Sequence, residues 1–322
     1  MTRFLVQRLA ETLVVLALMS FVVYGLIGLM PGDPVDLMIA ADPSLTPADA
    51  ARLKAIYGLD RPIVERYLAW LGGALQGDLG FSRLTSRPVT EVLLPRLGNT
   101  LLLMGSSFVL AIAIAIPAGI FAAIRPHGIA DGAINLAAFA GISVPPFWLA
   151  ILLIILFAVT WGVLPAGGTG TPGLDPGGGA WLADRARHLV LPVLTLTLIS
   201  AGALIRYTRA AMAEALRQDF VRTAFAKGAS TGRVVLGHAL RSAMIPVVTI
   251  LALDFGTLFS GALITETMFA YLGMGKTIYD AIMGNDYNLA LVGLLLATGV
   301  VLASNLLADL AYAWLDPRVS YR

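Results

Sequence analysis

Uncharged apolar runs of similar length recur along this chain, separated by shorter polar stretches. The first, Thr12–Met30, is long enough to cross roughly 30 Å of hydrocarbon at about 1.5 Å per residue. Further uncharged runs cover residues 97–124, 132–161, 188–205 and 287–308, placing helices at about 97–124, 132–161, 188–206 and 287–309, and 242–270 is apolar apart from Asp254 and Glu266. The pattern predicts an all-α polytopic membrane protein with six transmembrane helices. Residues 1–30 form the N-terminal end and first span, 31–96 a helical segment outside the membrane, 97–313 the core, and 314–322 a tail. Pro117 and the Pro145-Pro146 pair fall inside spans and predict kinks or broken helices. Gly162–Gly179, rich in Gly and Pro, predicts an irregular exposed loop. No internal repeat is visible.

The 31–96 segment has legible punctuation. Pro31-Gly32-Asp33-Pro34 ends the first span abruptly. Thr46-Pro47-Ala48-Asp49 reads as a helix start, with Thr46 as cap, Pro47 at the first position and an acid in the first turn. That helix is expected to stop at Gly58 and a second to run from Pro62 to Leu75, giving a small helical insert between spans one and two.

Residues 211–241 break the apolar pattern. From Ala211 to Lys227, Leu216, Phe220 and Ala224 recur every four residues with Val221 and Phe225 beside them, which predicts one amphipathic helix. Gly228 breaks it. Ser230 or Thr231 caps a second short helix, with Leu236, Ala239, Leu240 and Ala243 on one face and Arg233 and Arg241 on another. Two readings fit this knob. It lies on anionic lipid as an interfacial helix, or it docks a cytoplasmic partner, with Phe220 and Phe225 as anchors and Arg222 and Lys227 at the rim.

Composition supports the membrane reading. Hydrophobic residues make up 58% of 322 positions and charged residues 13%, where a soluble domain carries about a quarter; mean hydropathy is +0.82. With no cysteine, disulfides and thiolate metal sites are excluded. The net charge of +2 gives no case for nucleic acid. Lys and Arg in the tails and short loops number twelve on one side, 211–241 included, and three on the other, namely Arg185, Arg187 and Lys276. The positive-inside rule places the twelve, and both termini, in the cytoplasm. Arg3 and Arg8 before a long uncharged run point to a retained first span, not a cleaved signal peptide. The chain therefore belongs in the cytoplasmic (inner) membrane, in contact with lipid.

Little else suggests chemistry. Leu272-Gly273-Met274-Gly275-Lys276-Thr277 resembles a phosphate loop, but Ala270 stands where the pattern needs glycine, so an outer turn is expected and no nucleotide site is assigned to this chain. His127, His188 and His238 have no partners at ligand spacing, and no nucleophile–base pair is apparent, so neither metal, cofactor nor catalytic site is expected. Asp254 falls about 12 Å into its span if the membrane begins near Pro246. A carboxylate there costs about 2.5–3.5 kcal/mol on insertion scales, so it either lines a wet substrate path or bonds a polar neighbour. Glu266, a second pathway candidate, and Asp309 lie near span ends, where water access and a structural role are expected.

Arg222-Thr223-Ala224-Phe225-Ala226-Lys227-Gly228, then His238-Ala239-Leu240-Arg241 and Ile245-Pro246, resembles the cytoplasmic loop of ABC importer permeases. The Arg-Thr-Ala form, in place of Glu-Ala-Ala, is similar to one subunit of the peptide and nickel permease family. PGDP at 31–34, YGLDRPIVERYLAWL at 57–71, GDLGFS at 77–82, PPFWL at 145–149 and LDPRV at 315–319 extend the resemblance along almost the whole chain. It implies a type I ABC importer permease fold and translocation of dipeptides, oligopeptides or related solutes by alternating access. The implied partners are a second permease subunit, two ATP-binding subunits that hold the ATP and Mg, and an extracytoplasmic substrate-binding protein. Phe220 and residues 222–228 would be the coupling helix, with Arg233, His238 and Arg241 beside it. Arg222 stands where many permeases have Glu, and Arg241 where many have Pro, which implies that the partner permease engages its ATPase differently. The alternative is a proton-coupled secondary transporter in which Asp254 titrates.

Overall fold

The computed structural model describes residues 2–29, 46–56, 61–175 and 177–315. The described residues are helical apart from turns, loops and one isolated bridge between Phe81 and Pro88. The helices are α1 (Thr2–Gly28), α2 (Pro47–Ile56), α3 (Ile63–Leu75), α4 (Val89–Ile124), α5 (Ile129–Ser143) and α6 (Pro146–Leu153), which continues as a π-helical stretch, Ile154–Thr160. Then come α7 (Gly179–Ala215), α8 (Asp219–Ala226), α9 (Leu240–Met268), α10 (Met274–Met283) and α11 (Tyr287–Leu315). Five are long and apolar enough to cross a membrane, and α5 with α6, bent by 105°, makes a sixth if counted as one span.

The bend falls at Pro145-Pro146. Each proline pushes the residue before it out of the helical region, so Val144 (ψ 125°) and Pro145 (ψ 138°) are both extended and Pro146 restarts a helix at its first position. Pro117, by contrast, does not break α4, and Pro192 and Pro246 lie inside continuous helices. A lone proline removes only one donor, and packing in a membrane tolerates it.

Several boundaries differ from those read from apolar runs. Helix α4 begins at Val89, not at 97, because Val89 and Leu93 are buried although Glu91 and Arg96 interrupt the apolar run. An uncharged run marks the hydrocarbon, and a helix need not stop where the hydrocarbon does. The 162–179 loop is not merely exposed: the Gly168 amide bonds the Phe269 carbonyl at 2.8 Å, and Asp184 accepts from both the amide and hydroxyl of Thr171. Residues 31–34 and Gly58 lie outside the described residues.

The chain divides into two compact units, Met1–Gly98 with Lys276–Val300, and Asn99–Gly275 with Val301–Arg322. In the first, α1 packs on α3 through aromatic side chains: Phe21 and Tyr24 meet the Tyr67 ring edge-on at 5.2 and 5.6 Å, and Ser20 bonds the Tyr67 hydroxyl at 2.8 Å. At the start of α2, Thr46 and Asp49 bond reciprocally as a capping box, and the Thr46 hydroxyl and amide hold the Asp49 carboxyl below its ordinary range. Buried Asp286 gathers the segment after α3. It accepts from the Ser82 hydroxyl (2.6 Å) and the Leu84 amide (3.0 Å) and caps α11 through the Leu289 amide (3.2 Å).

In the second unit, α4, α5, α7 and α9 form an alanine-rich core. Helices α5 and α7 nearly touch through backbone: a Cβ on Gly141 would lie 2.6 Å from the Leu198 carbonyl oxygen, and one on Gly202 2.5 Å from that of Ala138. Close approach through small residues is how helices associate in lipid, where apolar burial gives no net drive.

Replacing Asp286 with Ala leaves one buried hydroxyl and two amides without their acceptor, at a cost of about 1–3 kcal/mol. Hydrogen exchange at Leu84 and Leu289 should accelerate together, while exchange in α7 stays unchanged.

Candidate functional site

The 211–241 region does not form two short helices. Helix α7 ends at Ala215, a turn follows, and α8 starts afresh at Asp219 with Gln218 as its extended N-cap. After Gly228, Thr231–Arg233 and a π-helical stretch, Val234–Ala239, run without a break into α9. The amphipathic pattern was continuous across 216–220, but the chain turns there because α8 must fold back onto the end of α7.

That seat is apolar. Val221 and Ala224 of α8 join Met212 and Ala215 of α7, Ala123 of α4, and Val234, Val235, Ala239 and Ala243 around the start of α9 in one buried cluster. Of the expected apolar side, Val221 and Ala224 are buried and Leu216 packs against them, while the two phenylalanines are left out of the cluster. Leu236, read as part of an apolar face, is exposed as well. Phe220 and Phe225 are 42% and 46% exposed on the other side of α8, while Val221 is only 2% exposed.

The C-terminus of α8 closes in a Schellman motif. The Ala229 amide bonds the Ala224 carbonyl (3.2 Å) and the Gly228 amide the Phe225 carbonyl (2.9 Å), with Gly228 at φ +80°. Ala229 packs against the same cluster as Ala224, the apolar contact that accompanies this motif. Arg222, Thr223 and Ala226 on α8 and Lys227 at its C-cap are exposed, as are Arg233 and His238 on the turns leading into α9 and Arg241 in its first turn. The Arg222–Asp219 ion pair, at 3.6 Å between exposed side chains, adds little to stability. A cleft of about 260 Å³ opens beside Phe220, bounded by Glu214, Gln218, Ser242 and Pro246.

The two acids of α9 stand apart from this region. Asp254 is partly buried. Glu266 is fully buried, contrary to the expected water access. It accepts from the Thr100 hydroxyl at 2.5 Å, which in turn accepts from the Met274 amide at 2.7 Å, and Gly273 lies so close that a Cβ would sit 2.1 Å from the carboxylate. Glu266 thus helps fix the start of α10, a helix the apolar pattern did not foresee. Nearby, burial pushes the Tyr271 hydroxyl up to about 12, so it stays protonated.

One pairing went unread. Arg209 of α7 holds Asp131 in the first turn of α5 through two bonds of 2.6 and 2.7 Å, and Asp131 also accepts from the His127 amide and the Asn135 side chain. Arg209 registered only as a cytoplasmic charge; an acid in a helix's first turn was the available signal, but nothing in the sequence announces a partner 78 residues away.

Membrane-length helices, one span broken at paired prolines, with a short helix seated against α4, α7 and α9, define a polytopic membrane protein. The chain matches the family described as "Binding-protein-dependent transport system inner membrane component" over residues 115–321, and the N-terminal model of that membrane component over 1–104. It is 36% identical over 322 residues, all of both chains, to the oligopeptide transport system permease protein AppB of Bacillus subtilis. It is 35% identical over 339 aligned positions, again all of both chains, to the dipeptide transport system permease protein DppB of Escherichia coli K12. Among solved structures, a chain from inward-facing conformations of the MetNI methionine ABC transporter shares the fold, with a TM-score of 0.57 and 18% identity over 70% of this chain and 97% of that one. The protein is a multi-pass membrane component and belongs to the binding-protein-dependent transport permease family.

Breaking the Asp131–Arg209 pair leaves the buried carboxylate with only the His127 amide and the Asn135 side chain, which costs about 1–3 kcal/mol. Arg209→Gln should markedly lower the thermal midpoint of the purified protein in detergent. The double variant Asp131→Asn/Arg209→Gln should recover part of the loss.

Proposed function

We propose that this chain is one of two membrane subunits of an ATP-driven importer for peptides or related small solutes, and that α8 is its coupling helix. Names of full-length relatives, oligopeptide and dipeptide permeases, support the substrate class. The carrying observation is the division of α8 into a buried and a presented face. Val221 and Ala224 bind it to α4, α7 and α9, while Phe220 and Phe225 face outward, where each can bury its remaining apolar surface, worth about 1 kcal/mol, in a partner's groove. The exposed charges of Arg222 and Lys227 at the rim set register more than affinity.

On this reading the partner is an ATP-binding subunit, and a second one sits under the other permease subunit. A helix closed at its C-terminus and set in an apolar seat moves as a rigid body when the ATPases close on nucleotide. The attached spans then exchange inward-open for outward-open arrangements. Both termini and α8 lie in the cytoplasm, consistent with the excess of Lys and Arg there. The 31–96 segment, with α2 and α3, faces the substrate-binding protein on the other side. Family membership does not favour the proton-coupled alternative, and Asp254 is retained only as a group beside the translocation path.

The chain lacks cysteine, so single-cysteine variants report without background. Phe225→Cys and Lys227→Cys should cross-link to an ATP-binding subunit in active membranes, and buried Val221→Cys should not. Absence of any such adduct from all exposed α8 positions would refute the docking assignment. Gly228→Val forces a β-branched residue to positive φ, which costs about 1–2 kcal/mol or more. ATP hydrolysis should persist in that variant while solute uptake falls about tenfold. Equal coupling of hydrolysis and uptake in variant and parent would count against a lever ending at Gly228.

A further inference from the structure

Between α5 and α7 lies a cleft of about 550 Å³, lined among others by Asn135, Phe139, Ile142, Arg206, Tyr207 and Arg209. Its two guanidinium groups are not equivalent. Arg209 is neutralised by its two bonds to Asp131. The Arg206 guanidinium lies over the Phe139 ring, 4.2 Å from its centre, and no carboxylate lines the cleft. Among the described residues no acid pairs with Arg206, so the cleft keeps one positive charge held flat against an aromatic wall. The exposed hydroxyl-bearing Tyr207 stands beside it.

We propose that this cleft binds the phosphate of an anionic phospholipid headgroup, with Arg206 as its charge partner and the Tyr207 hydroxyl as a second donor. Two features favour a lipid occupant. Apolar side chains continue from the cleft along both helices, with Leu136, Phe139 and Ile142 of α5 and Leu198 of α7 all exposed, which gives an acyl chain a wall to lie on. Phe139 also lies eight residues from Asp131, about 12 Å along α5 from its polar end. The Arg206 guanidinium is held at that level on apolar surface, within reach of a headgroup drawn down between the two helices. Basic pockets between spans on the cytoplasmic side are suited to anionic headgroups, whose leaflet carries the negative surface potential. The choice of leaflet rests on the orientation proposed above; the binding does not.

The test uses the assembled transporter, delipidated in detergent and titrated with phosphatidylglycerol or phosphatidylcholine, with retained lipid counted by native mass spectrometry. Phosphatidylglycerol should be retained preferentially. Arg206→Gln should reduce that preference about fivefold and Tyr207→Phe less, while Arg206→Lys keeps an intermediate value. Equal retention of the two lipids, or an unchanged preference in Arg206→Gln, overturns the proposal. Displacement by free glycerol phosphate at millimolar concentration would reassign the site to a soluble anion. A cross-link from Phe139→Cys to the other permease subunit, without lipid preference, would reassign the face to subunit contact. Cross-linking of α8 to the ATPase in the same Arg206→Gln preparation reports on the coupling reading separately: lost lipid preference with intact cross-links leaves that reading standing.

Discussion

Close backbone contact between α5 and α7 is the constraint on which the core unit depends. In lipid, leaving the hydrocarbon gains an apolar side chain nothing, so helices associate through packing at short range and through polar bonds. Gly141 against Leu198 and Gly202 against Ala138 bring the two backbones within reach of each other, and Gly119 does the same for α4 against Ile205 and Thr208 of α7. These approaches leave no room for side chains, so α7 is held by its neighbours along much of its length. The Asp131–Arg209 pair then fixes the α5–α7 register at one end, because two bonds from a planar fork tolerate little sliding. A charged pair in this setting specifies geometry more than it adds stability.

Rigidity at that end matters because α8 grows out of it. Three helices meet the cluster around Val221 and Ala224, so a displacement of α8 has no soft joint in which to dissipate. Its C-terminus is closed by backbone bonds at Gly228, and these do not depend on the exposed charges that surround them. On the proposed coupling role, the arrangement separates two tasks: apolar burial and capping transmit force, and Phe220 with Phe225 receives it.

The sequence made the fold class legible because membrane spans are long, uncharged and few in kind. It also revealed α2, through Thr46-Pro47 and Asp49, and the break at Pro145-Pro146, since both rest on local chemistry. It misplaced the start of α4, where buried Val89 and Leu93 extend a helix past the charges that end the apolar run. It also failed at Leu216–Gln218, where an unbroken amphipathic period concealed a turn that only the tertiary seat demands. The same period grouped five apolar residues on one side and could not say that Val221 and Ala224 are buried while Phe220 and Phe225 stay exposed. The Asp131–Arg209 pair, the Phe139–Arg206 stack and the Glu266–Thr100 bond all join distant positions, and periodicity carries no information about those.

The buried acids bear on what each helix contributes beyond its apolar surface. Asp131 is committed to Arg209, Glu266 to Thr100 beside the start of α10, and Asp286 to Ser82 and two amides. Each is engaged in bonds that position helices, and a carboxylate so engaged cannot also read a passing solute without loosening the structure that holds it. The acids that the sequence offers as chemistry are therefore spent on architecture, and what α5 and α7 leave exposed is mainly aliphatic and aromatic, the kind of surface that hydrocarbon covers without cost.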